Sequence, residues 1–197
     1  MSHSLPASSP IKIAAVVLAG GQGERMGRQD KGLVLYQGVP MVCWTLDRLK
    51  PLLDKVVISC NRNFEQYASY GYTLVKDQIG GYQGPLAGVH AAMQQLEGYT
   101  HVLVLPCDTP LLDEDVIQCL LQAVRVHTEE IVLLKTDDQP QFLHAVIPMR
   151  FADELGDWLS SGQRAVYKWY KQFPMYFVEV DAKSSALKNI NTSQDIA

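Results

Sequence analysis

The chain has 197 residues, of which 47% are hydrophobic and 19% charged, and its formal net charge at pH 7 is −4. This composition is typical of a globular protein and excludes disorder, a collagen helix and a coiled coil as the main state. The negative net charge argues against nucleic-acid binding through a broad basic face, whereas a local group of basic residues would suffice for a small anionic ligand. We expect residues 1–10, rich in Ser and Pro, to form a flexible leader, and residues 11–197 to form a single domain.

The four cysteines indicate a reduced intracellular chain. No two of them lie at CxxC spacing, so the sequence predicts neither a zinc site nor a redox pair. The longest apolar run, residues 13–19, is far shorter than the ~20 residues that cross a membrane, and no basic segment of a signal peptide precedes it. We therefore expect a cytoplasmic protein that has no membrane partner.

Short apolar runs alternate with helical patterns along the chain. The apolar runs predict strands at residues 11–18, 55–60, 72–75, 101–106, 130–135 and 143–148. Pro40 and Pro85 predict the starts of two helices, Gly98 the end of the second, and Asp113 the cap of a third. This alternation predicts a three-layer α/β/α, Rossmann-like fold with a mostly parallel sheet. In such sheets, ligands bind beyond the carboxyl ends of the strands.

A glycine-rich loop with three cations follows the first predicted strand and reads LAGGQGERMGRQDKG over residues 18–32. Glycines allow backbone N–H groups to approach phosphate oxygens, and Arg25, Arg28 and Lys31 can add charge-assisted hydrogen bonds. A flexible surface loop is the alternative. The residues flanking Lys31 do not fit a Walker A motif, and Met26 stands where a dinucleotide fingerprint needs its last glycine. The loop therefore predicts phosphate binding by a different scheme.

Polar residues follow the other predicted strands. Asn61 can bind a base or ribose or cap the next helix, and Asp77 can bind a ligand or simply close a turn. Asp108 is well placed to hold Mg²⁺ on phosphates, with an Asx turn as the alternative. Gly84 precedes a helix where a planar base can lie against the backbone, with an ordinary glycine turn and helix start as the alternative. A parallel sheet would bring Asp108 and the Lys31 loop to the same edge.

Two histidines, His101 and His144, fall in predicted strands, where we expect structural roles. No G-x-S-x-G motif is present, so the sequence predicts no serine triad.

The motifs together resemble a known enzyme family. The LAGG, RMG and DKG segments of the loop resemble the signature of nucleotidyltransferases that activate phosphates with a nucleoside triphosphate. The segments GPLAG at 84–88, PCDTP at 106–110 and NINT at 189–192 narrow the resemblance to the molybdenum cofactor guanylyltransferase (MobA) family. The matches extend from residue 15 to residue 195, in the family's order.

The resemblance implies transfer of GMP from GTP to the terminal phosphate of molybdenum-bearing molybdopterin, with release of pyrophosphate and with Mg²⁺ as cofactor. The implied catalytic residues are Arg25, Lys31 and Asp108, the last of them also the metal ligand. The implied GTP contacts are Leu18, Ala19, Gly20, Lys31, Asn61, Asp77 and Asp108. On the guanine side we expect Gly84, Pro85 and Leu86.

On the pterin side we expect Arg164, Asn189 and Asn191. Arg164 precedes a predicted helix start where an anion can bind, with a surface arginine as the alternative. The resemblance also implies transient contact with molybdoenzymes or their chaperones. We expect a monomer.

The chain departs from the family pattern at three places. Arg28 and Ser193 stand where the family usually has glycine and proline, and the stretch around His144 lacks a usual proline. The third departure falls on the side where the pterin is expected.

Two alternatives remain open at this point. One is a different nucleotidyltransferase, such as a CTP-using molybdopterin cytidylyltransferase or an enzyme that acts on a sugar phosphate. The other is a non-catalytic accessory protein that binds the cofactor, against which the presence of both Lys31 and Asp108 argues. A dehydrogenase is more distant, because the dinucleotide fingerprint fails.

Overall fold

The computed structural model describes residues 10–20, 29–77, 84–181, 187, 189 and 190. The strands are β1 Ile13–Leu18, β2 Leu35–Tyr36, β3 Val39–Pro40, β4 Val56–Ser59, β5 Thr73–Val75, β6 His101–Pro106, β7 Ile131–Thr136, β8 Gln139–Pro148 and β9 Met175–Glu179. The helices are α1 Met41–Leu49, α2 Phe64–Ala68, α3 Pro85–Met93, α4 Glu114–Ala123, α5 Ala152–Ser160 and α6 Val166–Tyr170. Within these described segments, no helix is long and apolar enough to cross a membrane.

A seven-stranded sheet in the order β5-β4-β1-β6-β8-β7-β9 forms the centre of the molecule. Strands β5, β4, β1 and β6 are parallel, and β7 is parallel to β9. Strand β8 is antiparallel to both of its neighbours, β6 and β7. The predicted mostly parallel sheet is therefore confirmed, and the antiparallel β7–β8 hairpin and strand β9 are additions to the prediction.

Helices cover both faces of the sheet, as the predicted three layers require. Side chains of β1 alternate between two cores: Ala14 and Val16 pack in one, and Ala15 and Val17 in the other. Helices α3, α5 and α6 close the first core, and helices α1, α2 and α4 close the second. Both cores consist largely of aliphatic residues with no exposed surface, so burial of apolar area holds the sheet and helices together.

The predicted helix starts agree with the structure to within a residue. Helix α3 begins at Pro85, α1 begins one residue after Pro40, and α4 begins one residue after Asp113, whose side chain makes no capping hydrogen bond. The predicted end of α3 is wrong, because the helix ends at Met93 and Gly98 lies in the turn that follows, with φ +82°. The position of Gly98 reflects a positive-φ turn before β6 rather than the helix end.

Candidate active site

The carboxyl ends of β5, β4, β1 and β6 lie side by side at one edge of the sheet. Backbone hydrogen bonds continue beyond the strands: Cys60 N donates to Val75 O at 3.0 Å, Ala19 N to Ser59 O at 2.9 Å, and Cys107 N to Leu18 O at 3.2 Å. Along the sequence, these hydrogen-bonded residues are followed directly by Gly20, Asn61 and Asp108, and Asp77 lies two residues after Val75. The parallel topology therefore brings them to one edge, as the sequence predicts.

Lys31 and Asp108 form an ion pair at this edge. Lys31 begins a short 3-10 helix, Lys31–Leu33, and its Nζ donates to Asp108 Oδ2 at 2.6 Å. The two side chains are only 17% and 16% exposed, so the pair is shielded from most of the solvent. A mostly buried pair of this kind is stronger than one on the surface, because less water screens the two charges.

The two carboxylate oxygens of Asp108 differ in their contacts. Oδ1 is buried and has no hydrogen-bond partner among the described residues. A hard, anionic oxygen with no partner is the donor type that Mg²⁺ prefers, and Mg²⁺ commonly binds through one or two carboxylates together with substrate phosphates. In the described part of the chain, no three His, Cys, Asp or Glu residues form a metal-binding group. Asp108 therefore fits a metal that binds jointly with a phosphate ligand.

Asn61 and Asp77 form a reciprocal pair next to Gly20. Asn61 Nδ2 donates to Asp77 Oδ2 at 2.9 Å, and the Asp77 backbone N–H donates to Asn61 Oδ1 at 3.1 Å. A side chain at Gly20 would crowd the Asn61 amide, since its Cβ would lie 3.2 Å from Nδ2. Asp77 Oδ1 is buried without a partner among the described residues, and burial raises the pKa of Asp77 despite the Asn61 hydrogen bond.

The amino terminus of α3 packs closely against the same strands. Gly84 has φ +76°, which favours glycine, and Pro85 is the first helical residue. Gly88 faces Ser59, and a Cβ there would also lie 3.2 Å from Leu18 Cδ2. Leu86 is 1% exposed and belongs to the core, so any ligand contact at this position is restricted to the backbone.

The predicted pterin-side residues fall in two places. The Ile190 backbone N–H donates to Asp108 O at 2.8 Å, which brings Asn189 to the Asp108 turn. Arg164 lies between α5 and α6 and donates from Nη1 to the carbonyl oxygens of Leu159 (2.7 Å) and Gln163 (2.6 Å). The predicted residues Arg25 and Asn191 lie outside the described residues.

His144 lies against the Asp108 turn and is neutral. Its Nε2 is 3.2 Å from Thr109 Oγ1, and both side chains are buried. Burial lowers the pKa of His144 to about 4, although the nearby Asp108 carboxylate acts in the opposite direction. His101, at the other end of the sheet, is also buried, and its Nε2 is 3.0 Å from Thr128 O. Both environments are structural, as expected.

Asp30, the residue directly before Lys31, has no role predicted from the sequence and is buried. Its carboxylate accepts hydrogen bonds from Tyr67 and Asn63. No local pattern could reveal this contact, since Tyr67 lies 37 positions away in the sequence. The only signal in the sequence was its position next to Lys31, a predicted catalytic residue.

Comparison with known proteins identifies the family of this chain. Residues 15–174 match the family described as the MobA-like NTP transferase domain. The molybdenum cofactor guanylyltransferase of Ectopseudomonas mendocina (strain ymp) is 35% identical over 97% of this chain and 92% of its own length. That of Shewanella frigidimarina (strain NCIMB 400) is 36% identical over 93% of each chain.

The fold is shared with a solved structure as well. The molybdopterin-guanine dinucleotide biosynthesis protein A from Archaeoglobus fulgidus superposes with a TM-score of 0.79 at 24% identity, over 93% of this chain and 94% of that one. At this identity the likeness shows the fold alone, a Rossmann-like nucleotidyltransferase fold. The family match and the relatives together show that the chain belongs to the molybdenum cofactor guanylyltransferase (MobA) family of nucleotidyltransferases.

Proposed function

We propose that this chain transfers the guanylyl group of GTP to the terminal phosphate of molybdenum-bearing molybdopterin and releases pyrophosphate. The observation that carries the proposal is the Lys31–Asp108 ion pair, which lies at the same sheet edge as the Asn61–Asp77 pair. This reaction needs a cation that binds phosphate, a carboxylate with an oxygen that can bind a metal, and a polar pair that binds a nucleoside. Relatives named for guanylyl transfer support the same assignment.

The proposed reaction needs no general base. A phosphate monoester has a second pKa of about 6, so the attacking phosphate is already largely dianionic at neutral pH. His144 is unsuited to proton removal, because burial lowers its pKa to about 4 and so makes it a weak base, and its Nε2 is already in contact with Thr109. Catalysis then depends on holding two polyanions together and on stabilising the charge that develops on pyrophosphate.

Lys31 and Asp108 divide this electrostatic work. The Lys31 ammonium can exchange the Asp108 carboxylate for a phosphate oxygen of GTP, because both are anionic oxygen acceptors. Asp108 would hold Mg²⁺ through Oδ1, and the bound metal would neutralise phosphate charge. We assign Arg25 as a second cation for the phosphates, from its place in the glycine-rich loop.

The nucleoside is assigned to Asn61, Asp77 and the backbone around Gly20 and Gly84. Guanine presents N–H donors on its base-pairing edge, and Asp77 Oδ1, which has no partner among the described residues, is an acceptor for a donor of this kind. Cytosine offers fewer donors to such an acceptor. The partly buried carboxylate therefore favours GTP over CTP in this proposal.

The pterin phosphate is assigned to the side of Asp108 that carries Asn189, with Asn191 and Arg164 as further contacts. The backbone hydrogen bond from Ile190 to Asp108 supports this assignment, because it joins the last motif to the proposed metal ligand. We also propose that the enzyme acts in the cytoplasm as a monomer. In the described residues the cysteines are free, in keeping with a reducing compartment.

A thermal-shift series with GTP, CTP, ATP and UTP, each with and without Mg²⁺, tests the nucleotide assignment. A ligand at 100 times its Kd should add ~2.7 kcal/mol to the free energy of unfolding. Each kcal/mol should raise Tm by about 2–4 °C for a chain of this size. We expect GTP with Mg²⁺ to give the largest shift and Lys31→Ala to reduce it. A larger shift with CTP would move the chain to cytidylyl transfer, and no shift with any nucleotide would favour the accessory-protein alternative.

A further inference from the structure

A buried hydrogen-bond network surrounds Asp30, the residue directly before Lys31. Asp30 is 7% exposed, and its Oδ1 accepts a hydrogen bond from the Tyr67 hydroxyl at 2.6 Å. Its Oδ2 accepts from Asn63 Nδ2 at 3.0 Å and lies 3.5 Å from Arg62 Nε. All three donors come from α2 and the turn that precedes it. A carboxylate at this depth is stable only when such donors compensate for its lost hydration.

The same segment holds the residues on both sides of Lys31. Arg62 Nη2 donates to Gln29 O at 2.9 Å. On the other side, Gly32 lies against the Tyr67 hydroxyl, and a Cβ there would overlap that hydroxyl and lie 3.2 Å from Ala19 Cβ. The residues on both sides of Lys31 therefore contact α2 or the turn that precedes it.

We propose that Tyr67 and Asn63 are positioning residues for the transferase reaction, because they hold Asp30 and thereby fix the backbone from which Lys31 reaches Asp108 and the phosphates of GTP. The proposal rests on the function proposed above. Lysine has a long side chain with a large rotamer entropy, so anchoring its backbone reduces the motion that must be lost when it meets a phosphate. Burial raises the pKa of the Tyr67 phenol, which keeps the hydroxyl protonated as a donor.

The turn before α2 also connects this network to the nucleoside side of the site. Asn61 binds Asp77, while Arg62 and Asn63 contact the stretch that carries Lys31. Asn63 has φ +54°, a left-handed conformation that asparagine adopts more readily than most residues. One turn therefore holds both the proposed nucleoside contact and the proposed phosphate contact, so loosening it should weaken GTP binding as well as turnover.

Tyr67→Phe tests the proposal with the removal of one oxygen atom. Loss of a hydrogen bond to a charged group should reduce kcat/KM for GTP by about tenfold to a hundredfold, with the KM for the pterin substrate unchanged. Tyr70→Phe is the matched control, because the Tyr70 ring packs edge-on against Tyr67 at 6.3 Å between centroids, while its hydroxyl hydrogen-bonds to Cys43 and not to the Asp30 carboxylate. We expect near-wild-type kinetics for that control.

A double-mutant cycle with Lys31→Ala separates positioning from a general loss of stability. If Tyr67 acts through Lys31, Tyr67→Phe should weaken the Kd for Mg²⁺–GTP about tenfold in the wild-type background and less than about twofold in the Lys31→Ala background. Equal factors in both backgrounds would overturn the proposal. An inactive wild-type chain, or unchanged GTP binding in Lys31→Ala alone, would instead contradict the proposed function.

Asn63→Gly provides a second variant in case Tyr67→Phe does not fold. Glycine tolerates the positive φ of this position and removes only the amide that binds Asp30. We expect the same selective loss in kcat/KM for GTP and the same dependence on Lys31. An Asn63→Gly enzyme with wild-type kinetics, together with a Tyr67→Phe enzyme that is either wild-type or misfolded, would refute the positioning role.

Discussion

Lys31 and Asp108 are 77 positions apart in the sequence, and their side chains meet at 2.6 Å at the carboxyl edge of the sheet. The pairing joins the glycine-rich segment after β1 to the turn after β6, two neighbouring parallel strands. Both side chains are more than four-fifths buried, so the ion pair is largely shielded from solvent. The second Asp108 oxygen, Oδ1, has no hydrogen-bond partner among the described residues, so the ion pair does not use the full hydrogen-bonding capacity of the carboxylate.

Loss of either partner should remove most of the activity. Because preorganised groups of this kind contribute strongly to charge stabilisation, we expect Lys31→Ala and Asp108→Asn each to reduce kcat about 10²–10³-fold. Circular dichroism should show that both variants remain folded. Lys50→Ala, an exposed lysine that directly follows α1, is the control and should retain full activity. A Lys31→Ala enzyme with near-normal turnover would remove Lys31 from the mechanism.

Asp77→Asn should stabilise the free protein and weaken GTP binding. The substitution keeps an acceptor for the Asn61 amide and removes a buried charge whose Oδ1 lacks a partner among the described residues. Burial raises the pKa of Asp77, so the wild-type chain gains stability as pH falls and the carboxyl becomes neutral. The Tm advantage of Asp77→Asn should be largest at neutral pH and shrink in acid. A variant that lost stability at pH 7, or bound GTP normally, would contradict the assignment.

His144 should make the protein sensitive to mild acid. Its folded pKa is lowered to about 4 from an ordinary value of 6.5. The unfolded chain therefore binds a proton at higher pH, and the stability that neutral His144 contributes is lost as pH falls from about 6.5 to 4, by about 3 kcal/mol at most. Urea unfolding between pH 7 and 4 measures this loss. His144→Gln, which cannot titrate, should flatten the profile; an unchanged slope would assign the acid sensitivity to other groups.

Gly88 should be intolerant of a side chain. A Cβ at this position would overlap Ser59 Oγ and lie 3.2 Å from Leu18 Cδ2, so α3 would have to move away from β1 and β4. We expect Gly88→Ala to lower the free energy of unfolding by about 1–3 kcal/mol and to weaken GTP binding, since Gly84 moves with the helix. Adding Ser59→Ala removes the nearest atom and should restore much of the loss. No rescue in the double variant would show that the crowding lies elsewhere.

The parts of the fold that the sequence predicted are those with strong local signals. Aliphatic runs marked β1, β4 and β6, and the parallel arrangement of these strands then brought Asn61 and Asp108 to one edge. The start of β8 had no such signal, because residues 139–142 read QPQF and the hairpin depends on positive φ at Asp137 and Asp138. Strand β9 was also missed, since it is an edge strand with partly exposed residues.

Within the site, the sequence indicated residues that directly follow strands, but not those that are held by tertiary contacts. Lys31 and Asp108 each stand in a recognisable motif, whereas the contact between Asp30 and Tyr67 depends on how α2 packs on the loop. Leu86 stands in a motif that predicts a ligand contact, and because its side chain lies in the core, that prediction is restricted to the backbone. Packing decided these positions, and packing has no short-range pattern in a single sequence.

The formation of a guanine dinucleotide product tests the central claim most directly. Purified protein would be incubated with Mg²⁺, molybdenum-bearing molybdopterin and either GTP or CTP, and the pyrophosphate released and the pterin dinucleotide formed would be quantified together. We predict equal amounts of pyrophosphate and guanine dinucleotide with GTP, little product with CTP, and loss of both products in Lys31→Ala. A cytosine dinucleotide as the main product, or no dinucleotide with either nucleotide from the folded protein, would contradict the account.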